Sequence, residues 1–365
     1  MMEFIDLKAQ YQAYKEEIDE RIHRVLDHGQ YIMGPEVEEV EEILAKYVGV
    51  KHCITTSNGT VSLEIALRAL GIGPGDEVIT VPFSWISSAE VIPWMGATPV
   101  FVDIDPRYYT MNPDLLEEAI TPRTKAIIPV SLYGQMPELE RINAIAAKYD
   151  IAVIEDGAQS FGATRNGKRS CGASLIGSTS FFPAKPLGCY GDGGALFTDD
   201  DDLARKMIAI RTHGGVVRHH HTMVGTNGRF DTIQAAVLLA KWPHFEDEVK
   251  KRAEIGAQYS EALKDHVTIP DIMEGNTHVY GQYTVRVPAE ERADIQSKLK
   301  AMGIPTGVYY PKYFHEQPVF QNMGHHEGDF PESEKAPKEV MSLPMHPLLN
   351  HRLCSEIYQS IINII

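Results

Sequence analysis

The chain has 365 residues, 43% hydrophobic and 23% charged, with Lys plus Arg at 34 against Asp plus Glu at 50, a formal net charge of −16. This is ordinary globular usage for roughly two domains, so extended disorder is excluded. The acidic balance disfavours non-specific binding to nucleic acid or to an anionic membrane, because both need a basic surface. Anionic small ligands stay open, since a pocket can be locally positive.

The four cysteines, Cys53, Cys171, Cys189 and Cys354, contain no Cys-x-x-Cys pair. Neither a disulfide framework nor a zinc site is expected, and a reducing cytoplasm fits. The opening residues lack a leader pattern, and no apolar run approaches the ~20 residues of a membrane helix. A cytoplasmic protein of enzyme size is the expectation.

In chain order, short apolar runs alternate with helical patterns from about residue 50 to 200. Strands are expected at His52 to Thr56, Glu77 to Val81, Thr98 to Asp103, Lys125 to Val130 and Ile151 to Glu155. Between them, Val61 to Leu70, Ser87 to Met95, Pro113 to Ile120 and Pro137 to Tyr149 carry apolar residues at helical spacing. The alternation predicts an α/β fold: βαβ units and a mostly parallel sheet with helices on both faces. Two more strands, Ser178 to Phe182 and Gly194 to Thr198, precede helices at Leu203 to Ile210, Thr232 to Trp242 and Phe245 to Leu263. A smaller α+β arrangement follows, with strands near His278 to Val287 and Thr306 to Tyr310 around a helix near Glu290 to Met302. The expected division is a large domain over 1–245 and a small C-terminal domain over 246–365.

Three motifs carry chemistry. Ser57-Asn58-Gly59-Thr60 joins a strand to a helix, where unpaired backbone N–H groups and the helix dipole suit a phosphate. Ordinary capping by Ser57 or Asn58 is the plain alternative. Asp156, in Glu155-Asp156-Gly157-Ala158-Gln159, is a carboxylate leaving the carboxyl end of an apolar strand, where ligand sites of open α/β sheets form. Its burial calls for a positive partner, such as a protonated ring nitrogen, unless it only caps a helix. Lys185 stands between Pro183 and Pro186, ahead of Gly188-Cys189-Tyr190-Gly191-Asp192-Gly193-Gly194. On a stiff turn between two strands, a desolvated amine with a lowered pKa can form a Schiff base. A surface lysine is the alternative there.

In this chain order, the three motifs resemble the pyridoxal-phosphate-dependent transferases of fold type I, the aspartate aminotransferase-like fold. Phe4-Ile5-Asp6-Leu7, Gly73-Pro74-Gly75-Asp76, Glu155 to Ser160, Lys185 to Gly188 and Phe230-Asp-Thr-Ile-Gln-Ala-Ala236 extend the resemblance to the DegT/DnrJ/EryC1/StrS sugar aminotransferases. Within that family, Lys185 to Gly194 and Ser342 to Pro347 are similar to the UDP-2-acetamido-2-deoxy-3-oxo-glucuronate aminotransferases, which make 3-amino sugars for bacterial surface polysaccharides.

The resemblance implies roles. Lys185 would hold pyridoxal 5'-phosphate as an internal aldimine and shuttle the proton. Asp156 would pair with the pyridinium nitrogen, Gln159 approach the cofactor hydroxyl, and Trp85 stack on the ring. Gly59, Thr60 and Ser180 would bind the phosphate, and Asn227 would complete that site from the partner subunit of a homodimer. Arg229 would meet an acidic group on the sugar nucleotide, or else pair with Asp231. Tyr309-Tyr310-Pro311 would line the sugar pocket, with Tyr309 where relatives commonly carry histidine; Gly228 stands where they often carry serine.

The activity so implied is transfer of an amino group from L-glutamate to a keto sugar nucleotide, UDP-linked and at C3. One alternative is a sugar dehydratase on the same fold, whose histidine in place of the Schiff-base lysine is not matched by Lys185. The other is a non-catalytic regulator that binds ligand without turnover. His219-His220-His221 is not expected to bind metal, since adjacent residues do not converge on one ion. Asp199 to Asp202 suits a helix start, and Gly71 to Asp76 precedes a strand and reads as a turn.

Overall fold

The computed structural model describes residues 2–217 and 219–365. Three helices come first, α1 (Leu7–Ala13), α2 (Lys15–His28) and α3 (Pro35–Val48). The large sheet is then built from β1 (His52–Thr56), β2 (Glu77–Thr80), β3 (Thr98–Phe101), β4 (Thr124–Ile128) and β5 (Ala152–Asp156). A hairpin of β6 (Thr164–Arg165) and β7 (Lys168–Arg169) stands apart from it, and β8 (Ile176–Ser180) and β9 (Gly194–Thr198) complete it. Helices α4 (Gly59–Ala69), α5 (Ser87–Trp94), α6 (Leu139–Lys148), α7 (Asp201–Arg211) and α8 (Thr232–Lys241) cover its faces. The long α9 (Phe245–Leu263) leads to β10 (Tyr283–Arg286), α10 (Arg292–Ala301), α11 (Pro331–Glu339), β11 (Val340–Leu343) and α12 (His351–Ile364).

The seven-stranded sheet runs β1-β9-β8-β5-β4-β2-β3. All its pairings are parallel except those of β9, which is antiparallel to both β1 and β8. Two antiparallel steps restore the original direction. The ends of β1, β5 and β8 therefore meet at one edge of the sheet, and that geometry gathers the motifs.

Side-chain alternation builds two buried layers. Ile54, Ala126, Ile128, Ile154 and Leu196 face α4, α5 and α7. Their neighbours Cys53, Ala195 and Phe197 face α3 and α8, while Ile127 and Val153 face α6. Strands buried on both faces read as unbroken apolar runs, which is why the sheet is legible in the sequence. A separate cluster joins α9, α10 and α12 to the β10–β11 pair through Tyr259, Val285, Leu299, Met341 and Ile357.

Some expectations need correction. Pro113 to Ile120 is no α-helix: only Glu117–Ala119 coil, as a 3-10 turn, before Thr121 bonds to Thr124 Oγ1 and the chain enters β4. The strand expected from His278 shortens to Tyr283–Arg286, because Val279 N–H bonds to Gly134 O and Tyr280 takes φ 46°. Thr306 to Tyr310 makes only a bridge from Gly307 to Ser342; the partner of β10 is instead β11. The strand expected at Ser178 begins two residues earlier, at Ile176.

Candidate active site

Asn58 caps α4, its side chain accepting the Val61 N–H at 2.8 Å. The capping reading therefore holds, and it also points the first N–H groups of Gly59 and Thr60 at the sheet edge. Gly59 is pressed against the end of β8: a Cβ there would lie 2.8 Å from Ser180 Cβ. The Thr60 hydroxyl meets Ser87 Oγ at 2.7 Å. Gly194, opening β9, passes so close that its Cβ would sit 2.6 Å from the Asn58 carbonyl carbon.

Asp156 ends β5 with 7% exposure, and its Oδ1 accepts the Ala158 N–H at 3.1 Å. This is a local turn, not a helix cap. Burial pushes the carboxyl up from its ordinary range, while the Ala158 N–H and the Lys185 charge pull it back. Lys185 is half-buried on the turn after β8, its own N–H bonded to Phe182 O at 2.8 Å. Burial draws its amine down to about 8, against the opposing pull of Asp156. A lysine so placed holds a far larger neutral fraction near pH 7–8 than an ordinary surface lysine, which favours it as a nucleophile.

Gln159 is fixed at both ends of its amide. Its Oε1 accepts the Tyr133 N–H at 2.9 Å and its Nε2 donates to the Tyr310 hydroxyl at 3.0 Å. Tyr310 also lies 5.9 Å, ring to ring, from Trp85. Burial, with the negative Asp156 behind it, holds the Tyr310 hydroxyl far above its usual pKa. Tyr310 therefore joins Trp85, Gln159 and Asp156 in one cluster, and the Tyr133 hydroxyl donates to Tyr309 O beside it. Trp85 is 57% exposed, so its indole is available to stack on a flat ligand. A helix N-terminus for a phosphate, a bare aromatic face, a buried strand-end carboxylate and a lowered-pKa lysine fit pyridoxal phosphate.

Asn227, Arg229 and Asp231 line an open groove of ≈ 440 Å³ with Ser57, Asn58 and Gln234. Arg229 makes no ion pair with Asp231, and its buried Nε has no partner among the described residues. Asn227 is exposed. The nearby loop also exposes Val216, Val217 and Val224 at 71%, 62% and 82%.

Several residues that hold the site were not anticipated. Gln234 accepts the Tyr190 N–H at 2.8 Å and donates to its carbonyl at 3.3 Å, clamping the glycine-rich loop after Lys185. Lys241 donates to Gly188 O on the same loop. Gln234 lies in the Phe230 to Ala236 motif, so the sequence carried that signal without its reason. Tyr133, with φ 61° beyond the end of β4, gave no such signal, yet its N–H fixes Gln159.

Other readings resolve plainly. Asp200 caps α7, accepting the Asp202 and Leu203 N–H groups, and Gly73 N–H bonds to Asp76 in the turn before β2. The four cysteines are free and buried. No helix of the described residues is long and apolar enough to cross a membrane.

Comparison with known proteins agrees with this geometry. Residues 12–362 match the model of the DegT/DnrJ/EryC1/StrS aminotransferase family. The chain is 54% identical, over 96% of both lengths, to the UDP-2-acetamido-2-deoxy-3-oxo-D-glucuronate aminotransferase of Pseudomonas aeruginosa. It is 46% identical to a pleiotropic regulatory protein of Geobacillus stearothermophilus, over 94% of this chain and 93% of that one. NtdA of Bacillus subtilis, solved with bound cofactor PMP, superposes with a TM-score of 0.90 at 32% identity, over 96% of this chain and 82% of that one. The chain belongs to the DegT/DnrJ/EryC1/StrS aminotransferase family.

Proposed function

We propose that this aminotransferase moves the amino group of L-glutamate onto a keto sugar nucleotide, a UDP-linked 3-keto sugar, in the making of amino sugars for bacterial surface polysaccharides. It is a pyridoxal-phosphate enzyme. The observation that carries the reading is the placement of Lys185 on the turn after β8, with the buried Asp156 at the end of the neighbouring strand β5. The cofactor supplies an electron sink for the substrate's reacting carbon when it is bound.

The chain's own residues do the rest. Gly59 and Thr60 N–H groups and the Ser180 hydroxyl hold the phosphate, and Trp85 covers the ring. Asp156 keeps a proton on the ring nitrogen, and Gln159, its amide locked by Tyr133 and Tyr310, meets the ring hydroxyl. With the cofactor in place, the Lys185 amine would be the group available to take up and return the substrate proton. Tyr309, Tyr310 and Arg229 face the sugar nucleotide; the unpartnered Arg229 Nε supports that assignment over a structural ion pair.

Asn227 is proposed to complete the phosphate site of a partner subunit in a homodimer. Its exposure and the exposed valines of the neighbouring loop support a surface that a second copy covers. Residues 1–245 and 246–365 are proposed as the large and small domains.

The test is a panel of keto sugar nucleotides incubated with glutamate, following 2-oxoglutarate release and the visible absorbance of the bound cofactor. Turnover with a UDP-linked 3-keto sugar supports the reading. Loss of water from the sugar would favour a dehydratase. Ligand binding without turnover across the panel would favour the regulator, which the name of the Geobacillus relative keeps worth testing.

A further inference from the structure

Behind Lys185 lies a second, smaller cavity, separate from the groove at Arg229. Its wall includes Asp6, Gln10, Lys185, Arg252 and His346, and so draws on the N-terminal segment, α9 and the loop after β11. Gln10, Arg252 and His346 are 7%, 3% and 7% exposed. Each brings a buried polar atom that no protein group satisfies: Gln10 Oε1, Arg252 Nε and His346 Nδ1. Unpaired buried polar atoms are rare because they are costly, and three around one cavity point to a common partner.

Hydrogen bonds hold two of the three in place. Gln10 Nε2 donates to both carboxylate oxygens of Glu248, at 2.9 and 3.1 Å, which fixes the amide oxygen on the opposite side. Arg252 Nη1 is held by the carbonyls of Tyr280 at 3.0 Å and Met345 at 3.4 Å.

We propose that this cavity is a built site for one internal water molecule, bonded to Gln10, Arg252, His346 and the Lys185 amine. The cavity leaves ≈ 10 Å³ for the centre of a water molecule, about the space one water needs. The polarity of the wall selects the ligand. An anion would face the Gln10 carbonyl oxygen, and a cation would face Arg252. Water meets both, accepting from Arg252 Nε–H and the Lys185 amine while donating to Gln10 Oε1 and His346 Nδ1. His346 is suited to accept, since burial and the Arg252 charge bring it down to about 4 and keep the ring neutral at pH 7. The charged and titratable groups facing the water are then Lys185, Arg252, Asp6 and the neutral His346, with Glu248 behind Gln10. Gln10 and His346 are thereby positioning residues: through the water they give the Lys185 amine a fixed acceptor.

The proposal goes beyond the aminotransfer reading and is tested without substrate. A crystal structure of cofactor-free protein at about 1.5 Å should show one density peak within roughly 2.7–3.2 Å of all four atoms. An empty cavity, or a peak that refines as an ion, overturns it. His346→Phe and, separately, Gln10→Met should each lower the Lys185 pKa, read from the pH dependence of cofactor capture by cofactor-free protein. The expected fall is about 0.5 pH unit, the size of one lost hydrogen bond. If His346→Phe leaves the capture profile unmoved, the link to Lys185 is wrong; a variant that does not fold leaves the wild-type density to decide.

Discussion

Gly59→Ala tests the phosphate turn with a single methyl. Gly59 does not sit at positive φ, so alanine adds no backbone strain; the cost is contact. Its Cβ would lie 2.8 Å from Ser180 Cβ and 3.4 Å from both Ser180 Cα and Oγ. Carbon atoms are comfortable at about 3.5–4.0 Å, so the turn or the end of β8 must give by roughly 0.7 Å. Overpacking of this kind costs about 1–3 kcal/mol. If the Gly59 and Thr60 N–H groups move off a bound phosphate by that amount, cofactor affinity should fall about 10- to 100-fold. The assay is absorbance titration of cofactor-free Gly59→Ala with pyridoxal phosphate, beside a thermal melt. Gly59→Ala with Ser180→Gly should recover the melt, because the clashing Cβ is gone, while affinity stays low for want of the Ser180 hydroxyl. Wild-type affinity and melting in the single variant would refute the argument.

Asp156→Asn should retain the cofactor and lose about 100-fold or more in kcat, because a neutral amide cannot hold the ring-nitrogen proton; single-turnover kinetics with glutamate reads this, and a near-normal rate overturns the assignment. In cofactor-free protein, Lys185→Met should be more stable than wild type below pH 8. The Lys185 pKa falls from 10.5 unfolded to about 8 folded, so the unfolded state binds the extra proton, and the difference in melting temperature should shrink as pH rises towards 10.5; a pH-independent difference rules this out. Lys185→Ala and Asn227→Asp protomers, each inactive alone, should regain roughly a quarter of wild-type activity per protomer when remixed, since about half of the dimers would be hybrids with one intact site. Confirmed subunit exchange without recovered activity would place Asn227 in its own chain's site.

The sheet was legible because both its faces are buried, so its strands stand out as apolar runs between helical stretches. The candidate site stood out because strand ends and turns carry residues that a core has no use for: Gly59, Asp156 and Lys185. What escaped lay in contacts between distant segments. Nothing local in Tyr133 announces that its N–H will orient Gln159, nor in Gln10 that it will reach Glu248. The small unit was hardest to read. Val340–Leu343 follows a helix with no turn between them, and residues near Thr306 have the composition of a strand but no neighbour to pair with beyond a single bridge. Strand propensity is realised only where a partner edge is free.

The lone antiparallel strand also sets the order in which the protein can assemble. β1 is an edge strand whose only neighbour is β9, so His52 waits for Thr198. Every other strand of the sheet is made in between, and closing so long a loop is entropically slow. Because Gly194 of β9 presses on Asn58 while the turn bearing Lys185 leads into the same strand, seating β9 both closes the sheet and brings the lysine to the phosphate turn. Cofactor capture thus becomes a late checkpoint on folding, since a chain with β9 unseated has no complete cradle to offer. Pulse-labelled hydrogen exchange during refolding should find the amides of β1 and β9 protected together, in the same phase in which added pyridoxal phosphate first becomes bound.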